Sequence, residues 1–284
     1  MGAEEAPGAL FERVDVGGEE RWAATGWARG PWDPAHCHGG PVSAFLARAC
    51  EGLGDDGSGT DWQVARLTIE LTRPVPVGEP LALSSVIERP GRAVSVVAAS
   101  LAAGAGDAST EVAKVRALRI RREDLALPDH PVAEPELTGP AGAGRREVVT
   151  WAVEDGQVAF HRDGAEHRVV EGSWEDPGPI KVWIRLRSAV VEGEVPSGLQ
   201  RAAAAADFGN GVSSALDHDR FVYINPDLTV HLARPPEGEW IGMATHSVYG
   251  VGGDSTGAGF AESALFDERG RLGRSVQSLL VRPR

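Results

Sequence analysis

The chain repeats part of itself, and this repeat is the feature that most constrains its fold. Residues 67–74 read LTIELTRP and residues 228–235 read LTVHLARP, with five of eight positions identical at an offset of 161. Two flanking matches occur in the same order: HGGPVSAFL (38–46) with FGNGVSSAL (208–216), and Gly78-Glu79 with Gly238-Glu239. Three ordered matches indicate that the 284 residues hold two copies of one module.

Each copy predicts a helix followed by a meander of strands. Pro41 suits the first turn of a helix, and apolar residues recur at helical spacing from Val42 to Leu53. The first copy then predicts strands at 62–73, 80–89, 92–102 and 110–121. The second predicts a helix through Ala202–Ala206 to about Leu216, then strands near 220–232, 238–248, 257–266 and 273–282, with a hairpin turn at Gly270.

The repeat divides the chain into two modules. We predict an N-terminal module at 1–122, a Pro- and Gly-rich linker at 123–145, and a C-terminal module at 146–284. The segment 147–187 would supply the opening strands of the second copy. A helix packed on an antiparallel sheet, occurring twice, is an α+β layout.

Charge narrows the classes of partner. Lys and Arg number 28 against 41 Asp and Glu, a net charge of −13, whereas nucleic acids and anionic membranes attract basic surfaces. We therefore expect a small-molecule partner, with no nucleic acid and no membrane. The sequence has no apolar run long enough for a transmembrane helix, and its acidic start is unlike a signal peptide. With only Cys37 and Cys50, no disulfide framework is expected, and a cytoplasmic location is the default.

The longest distinctive strings carry a family resemblance. HGGPVSAFL, SALDHDRFVYINPDLTVHLARP and GRSVQSLLV resemble the acyl-CoA thioesterase II family of double-hotdog proteins, as found in actinobacteria. The resemblance extends from about Trp22 to Val281. It implies a tandem hotdog fold, each module a long helix packed on a curved antiparallel sheet, and hydrolysis of acyl-CoA thioesters to free acid and CoA. It further implies no cofactor or metal, and a homo-oligomer formed through the sheets.

The resemblance also implies a catalytic set of Asp207, Asn225 and Gln277. Taken alone, Asp207 is either an N-terminal acid of the helix that follows it or a general base or nucleophile. Alternation along the last strand places Gln277 on the face of Leu279 and Val281, where a buried amide needs a partner. A solvent-facing glutamine on an edge strand is the alternative.

Relatives in this family often have a hydroxyl residue where this chain has Asn225. Strand parity places Asn225 opposite to Leu228, Val230 and Leu232, and a bulge at Pro226 could redirect it.

The two copies differ at these positions. The offset of 161 aligns Gln277 with Arg116 and Asn225 with Val64, and the helix-start match aligns Asp207 with Cys37. All three counterparts differ chemically from the proposed catalytic residues. We therefore predict that the second copy carries the chemistry and the first shapes the acyl pocket.

The run His36-Cys37-His38 invites a metal interpretation, but no third or fourth ligand lies nearby in sequence. We interpret His38, Gly39 and Gly40 as a substrate-binding helix start whose backbone N–H groups polarise the thioester carbonyl. Pro41 cannot donate, so Gly40 is the preferred donor.

Two other functions stay open. A hotdog hydratase or dehydratase usually carries D-x-N-P-x-H, but residues 31–36 read PWDPAH and lack the leading Asp. A non-catalytic acyl-CoA-binding protein would keep the fold without the chemistry. The phosphates of CoA need cations, for which Arg220, Arg234, Arg271 and Arg274 are weak candidates.

Overall fold

Both halves of the chain fold into a helical layer and antiparallel strands. The computed structural model describes residues 8–53, 61–104, 106–126, 137, 139–149, 156–250 and 256–284. The first half contains β1 (Phe11–Val16), β2 (Glu19–Ala24), α1 (Gly39–Gly52), β3 (Trp62–Glu70), β4 (Pro80–Arg89), β5 (Val94–Ala103) and β6 (Thr110–Arg121).

The second half repeats this order with one further strand, β7, at its start, and with two elements each divided in two: the helix and the strand that follows it. It contains β7 (Arg145–Glu147), β8 (Ala165–Glu171), β9 (Ile180–Leu186), α2 (Gly198–Ala206), α3 (Gly209–Val212), β10 (Phe221–Ile224), β11 (Asp227–Leu232), β12 (Trp240–Tyr249), β13 (Ala258–Asp267) and β14 (Gly270–Pro283). Gly270 has a φ of 102°, a backbone conformation that glycine adopts readily, and forms the predicted hairpin turn before β14.

The strands form one sheet whose order displays the duplication. The order is β1-β2-β4-β5-β6-β3-β11-β14-β13-β12-β9-β8-β7, with β10 added to β14. The two copies meet where β3 pairs with β11, and Thr68 pairs there with Thr229. These two threonines are equivalent positions of LTIELTRP and LTVHLARP. A local two-fold axis therefore passes through this pair.

The helices pack against each other inside the sheet. Nearly all of α1 is buried, and Ala202–Ala206 of α2 is buried as well. Small side chains let the two helices approach closely, and their opposite directions bring the start of α1 to the end of α2. The candidate active site lies at this junction.

Two predicted elements are wrong in detail. The second helix breaks at Asp207-Phe208 and ends at Val212, not at about Leu216. FGNGVSSAL therefore closes the second helix, whereas HGGPVSAFL opens the first, so this upstream match is not a structural one. The predicted strand 220–232 is divided at Asn225-Pro226 into β10 and β11.

Of the 23 residues in the predicted linker 123–145, 11 lie outside the described residues, which omit 127–136 and 138. Its last residue, Arg145, belongs to β7, which pairs with β8. The module boundaries stay a prediction. Among the described helices, none combines the length and apolar character needed to cross a membrane.

Candidate active site

A cavity of about 480 Å³ opens at the junction of the two helices. Its wall comes from both halves of the chain: the loop before α1, the residues after β3, the break between α2 and α3, and the Asn225-Pro226 turn. Trp32, Trp174 and Phe208 give it an apolar lining, and Asp207 lies in its wall. A largely apolar cleft with a few polar groups is typical of a small-molecule site.

Asp207 is the buried carboxylate of this cavity. It ends α2, and only 5% of it is exposed. Its Oδ1 accepts a hydrogen bond from Asn225 Nδ2 at 2.8 Å and a longer one from Gln277 Nε2 at 3.4 Å. The structure thus brings together the three residues that the sequence singled out. The alternative of an N-terminal helix acid is wrong for Asp207, because its main helix ends there.

Gln277 is buried in β14, as the alternation predicted. Its Nε2 donates to the backbone carbonyl of Asp207 at 3.0 Å, and its Oε1 accepts from the Asn210 N–H at 2.9 Å. One side-chain amide therefore hydrogen-bonds to backbone groups on both sides of the break between α2 and α3. This buried amide thus has the hydrogen-bond partners that it needs on an apolar face.

Asn225 reaches Asp207 because the strand is interrupted. Ile224 pairs with Leu280, whereas Thr229 pairs with Val276, so this segment gains one residue relative to β14. An extra residue changes the face to which the side chains point. The irregularity suspected at Pro226 is present, and it resolves the conflict between strand parity and a site role for Asn225.

His38 supplies an unexpected contact through its ring. It is the N-cap of α1, and its Nδ1 lies 3.0 Å from the Gly40 N–H and 2.9 Å from Asp207 Oδ2. A ring nitrogen carries either a lone pair or a proton, so Nδ1 either accepts from Gly40 or donates to Asp207. Sequence reasoning placed His38 here for its backbone only.

Glycine is required at position 39. A Cβ on Gly39 would lie 2.6 Å from Asp207 Oδ1 and 2.7 Å from Oδ2, closer than real Cβ contacts. Within the described residues, the Gly39 N–H has no hydrogen-bond acceptor, and Gly39 lines the cavity. The Gly40 N–H, which the sequence favoured as the donor, lies against His38 Nδ1, so it is free for a substrate only when that nitrogen carries the proton and donates to Asp207.

Sequence reasoning missed a group of aromatic and histidine side chains behind the site. A π-helical turn, Phe160–Gly164, places Phe160 and His161 near the His38 ring. Behind them, His167 bonds to the His161 carbonyl through Nε2 at 2.9 Å, and burial lowers the pKa of His167 to about 4. Short π-helical turns are frequent at functional sites, but they leave no clear signal in sequence.

The His36-Cys37-His38 run does not converge on one point. His36 Nδ1 lies 3.1 Å from Asp33 Oδ2, whereas His38 faces Asp207. Burial raises the pKa of the Cys37 thiol, which keeps it protonated and poorly nucleophilic. The described residues contain no group of three or more side chains suited to hold a metal ion.

Two of the three site residues have apolar counterparts in the first half of the chain. Thr229 pairs with Val276 while its equivalent Thr68 pairs with Arg116, so the counterpart of Gln277 is Ala117, one residue beyond the predicted Arg116. Asn225 stays aligned with Val64. The match that paired Asp207 with Cys37 is not structural, and α1 and α2 begin at Gly39 and Gly198, so the offset of 161 does not hold for the helices.

Comparison with known proteins identifies the family of this chain. The model of the acyl-CoA thioesterase C-terminal domain matches residues 128–281, and that of the N-terminal domain matches residues 28–120. The chain belongs to the acyl-CoA thioesterase family. It is accordingly a thioester hydrolase. A search of curated proteins found no match.

Solved structures share the fold of this thioesterase. A candidate thioesterase II from Thermobifida fusca is 20% identical with a TM-score of 0.63, covering 96% of this chain and 95% of its own. A hotdog-fold protein of unknown function from Alicyclobacillus acidocaldarius is 15% identical with a TM-score of 0.66 (96% and 95% covered). An acyl-CoA thioesterase II from Mycobacterium marinum is 16% identical with a TM-score of 0.59 (87% and 90% covered). The predicted α+β double hotdog is confirmed.

Proposed function

We propose that the chain hydrolyses an acyl-CoA thioester to a free carboxylic acid and CoA, with Asp207 as the general base. The observation that carries this proposal is the buried carboxylate of Asp207, which faces a largely apolar cavity and is held by Asn225, Gln277 and His38. A carboxylate fixed in this way can take a proton from water beside a bound acyl chain.

The attacking group in this mechanism is water. Both carboxylate oxygens of Asp207 already have hydrogen-bonding neighbours, which lowers their own nucleophilicity. Asp207 accepts a proton from water while the water oxygen bonds to the thioester carbon. The carbonyl oxygen gains negative charge, which the free N–H of Gly39 stabilises at the start of α1. The carbon–sulfur bond then breaks, and the leaving thiolate takes the proton from Asp207.

Each remaining residue keeps Asp207 in position. Asn225 and Gln277 donate to Oδ1, and the Nδ1–H tautomer of His38 donates to Oδ2. In this scheme the module at 146–284 carries the base and its amide partners. The module at 1–122 provides the carbonyl-binding helix start and part of the acyl pocket.

The substitution Asp207→Asn tests the proposal without disturbing the fold. An Asn carbonyl can replace Oδ1 as the acceptor from Asn225 and Gln277, and its NH₂ can donate to His38 Nδ1. We expect kcat for thiol release from acyl-CoA to fall about 10³-fold or more, with an unchanged melting temperature. Glu192→Gln, at an exposed carboxylate, is the matched control. Normal turnover by Asp207→Asn would refute the role of Asp207.

The same preparation distinguishes the two alternative functions. Loss of the conjugated absorbance of an enoyl-CoA, without thiol release, would indicate a hydratase. Tight binding of acyl-CoA with no thiol release over hours would indicate a non-catalytic binding protein. Acyl-CoAs of increasing chain length would define the acyl preference.

Assembly, which the family resemblance implies, and location, which the cysteine count suggests, remain predictions. We propose that the double module forms a homo-oligomer, which sedimentation at several protein concentrations would test. We also propose a cytoplasmic location, which fractionation of cells that express the chain would test.

A further inference from the structure

An acidic chain that binds an anionic thioester needs a local cation, and none of the four arginines suggested by sequence lines the described wall of the active-site cavity. Arg234 is bound to Asp267, and Arg274 lies 3.2 Å from Glu262. Arg271 and Arg274 line a separate cavity on another part of the sheet, and Arg220 lies over the neighbouring Phe221. The positively charged residue that binds the anionic thioester must therefore be a different one.

The duplicated Arg-Pro sequence supplies it. Arg73 and Arg234 occupy equivalent positions in LTIELTRP and LTVHLARP. Arg234 forms two short bonds to the carboxylate of Asp267, at 2.5 and 2.6 Å, and that carboxylate is fully buried. The N–H donors of a guanidinium bound in this way are occupied by the carboxylate, so the ion pair is structural and leaves few donors for a ligand.

Arg73 has no such ion pair with a described residue. The strand β13 ends at Asp267, whereas its counterpart β5 ends at Ala103, so the carboxylate that holds Arg234 has no equivalent at that strand end. Arg73 is exposed, and its guanidinium has no ion pair or hydrogen bond with any described residue. Among the described residues that line the active-site cavity, it is the one arginine.

The backbone fixes Arg73 beside the site. The Leu71 N–H donates to the Pro226 carbonyl at 2.8 Å, which fastens the end of β3 next to Asn225. Two residues extend the chain by about 7 Å at most, so Arg73 lies at the rim of the cavity and not on a distant surface. Pro74 limits the backbone after it. The nearby Asp33 is already bonded to His36 and to the Ala35 N–H.

We propose that Arg73 binds a phosphate of the phosphopantetheine arm that carries the acyl group. The planar guanidinium matches two phosphate oxygens, and no protein carboxylate has to be displaced first. This proposal rests on the proposed function, since it places the thioester beside Asp207 and the anionic end of the arm at the rim. The phosphate can belong to CoA or to an arm on a carrier protein.

The test compares thioesters with and without phosphate in three variants. Arg73→Met removes the guanidinium, Arg73→Lys retains the charge, and Arg92→Met removes an equally exposed and unpaired arginine from the β4–β5 turn. KM and kcat are measured with acyl-CoA, with the same acyl group on pantetheine, and on a carrier protein. Binding of CoA and of pantetheine is measured by calorimetry, which requires no turnover.

We expect Arg73→Met to raise KM for acyl-CoA about tenfold with kcat unchanged, and to leave acyl-pantetheine unaffected. Arg73→Lys should restore part of the affinity, Arg92→Met should match wild type, and high salt should reduce the difference. A larger effect on the carrier-protein substrate would identify that source of the phosphate.

Two results would overturn the proposal: equal KM values in Arg73→Met and Arg92→Met, or an equal loss with acyl-pantetheine. If wild type hydrolyses neither thioester yet binds CoA through Arg73, the proposed function fails and the phosphate site stands. If wild type hydrolyses acyl-pantetheine but Arg73→Met binds CoA as tightly as wild type does, the proposed function stands and the phosphate site fails.

Discussion

Gly39→Ala should inactivate the enzyme by moving a carboxylate less than one ångström. The added Cβ would lie 2.6 Å from Asp207 Oδ1, and ordinary van der Waals contact begins at 3.4 Å. Either Asp207 or the start of α1 must therefore retreat by about 0.8 Å. Retreat along the bond axis would lengthen the 2.8 Å contact with Asn225 beyond hydrogen-bond distance.

A displacement of about 1 Å at a reacting group costs about 10²-fold in rate. We therefore expect kcat to fall roughly 100-fold. The free energy of unfolding should change less than the activation free energy does. A weakened hydrogen bond to the buried Asp207 costs about 1–3 kcal/mol, and replacing Gly39 by Ala within the helix returns up to about 1 kcal/mol.

Gly52→Ala is the matched control, because it makes the same change at the other end of α1. A Cβ on Gly52 meets nothing within 4 Å, so this variant should keep full activity and gain up to about 1 kcal/mol of stability. Thiol release measures kcat, and calorimetry measures the melting temperature. If Gly39→Ala retains more than about a third of wild-type kcat, the close contact between Gly39 and Asp207 has no functional role, and the reasoning fails.

Two further predictions concern buried polar groups. His167 is kept neutral in the fold, since burial lowers its pKa from 6.5 to about 4, so its contribution to stability is present above pH 6.5 and lost as the pH falls toward 4. Between pH 6.5 and 4, the free energy of unfolding measured with urea should fall by about 3 kcal/mol less in His167→Phe than in wild type. If both proteins show the same pH profile, the assignment is disproved. Gln277→Met leaves the Asn210 N–H without its acceptor and the Asp207 carbonyl without its donor. It should cost about 2–4 kcal/mol and lower kcat, whereas Ser278→Ala, on the exposed face of β14, should change neither.

Much of this site could be predicted from sequence because it rests on strand periodicity. The alternation of β14 places Gln277 on the buried face with Leu279, as the residue types require. The pairing of β3 with β11 was not predicted, although the equivalence of Thr68 and Thr229, which becomes the local axis, is visible in the sequence. The local pattern was therefore sufficient for the position of Gln277 but not for the contact between the two copies.

The remaining features depend on contacts between distant segments. Five alanines followed by Asp207 continue a helix in any local pattern, and the break after Asp207 is held by Gln277, far along the chain. In the same way, the His38 ring contacts both the Gly40 N–H and the Asp207 carboxylate, whereas sequence reasoning used only the backbone of His38. No scale of helix propensity contains either interaction.

The two ends of the helix pair differ in what surrounds their carboxylates. The antiparallel arrangement of α1 and α2 creates two similar junctions. At one, Gly39 leaves room for the Asp207 carboxylate, which stays buried beside a cavity. At the other, the exposed Glu51 accepts bonds from Ser197 Oγ at 2.7 Å and Gln200 Nε2 at 3.3 Å, which fastens the start of α2. A glycine at the first junction and a capping serine at the second therefore distinguish the candidate site from a structural contact.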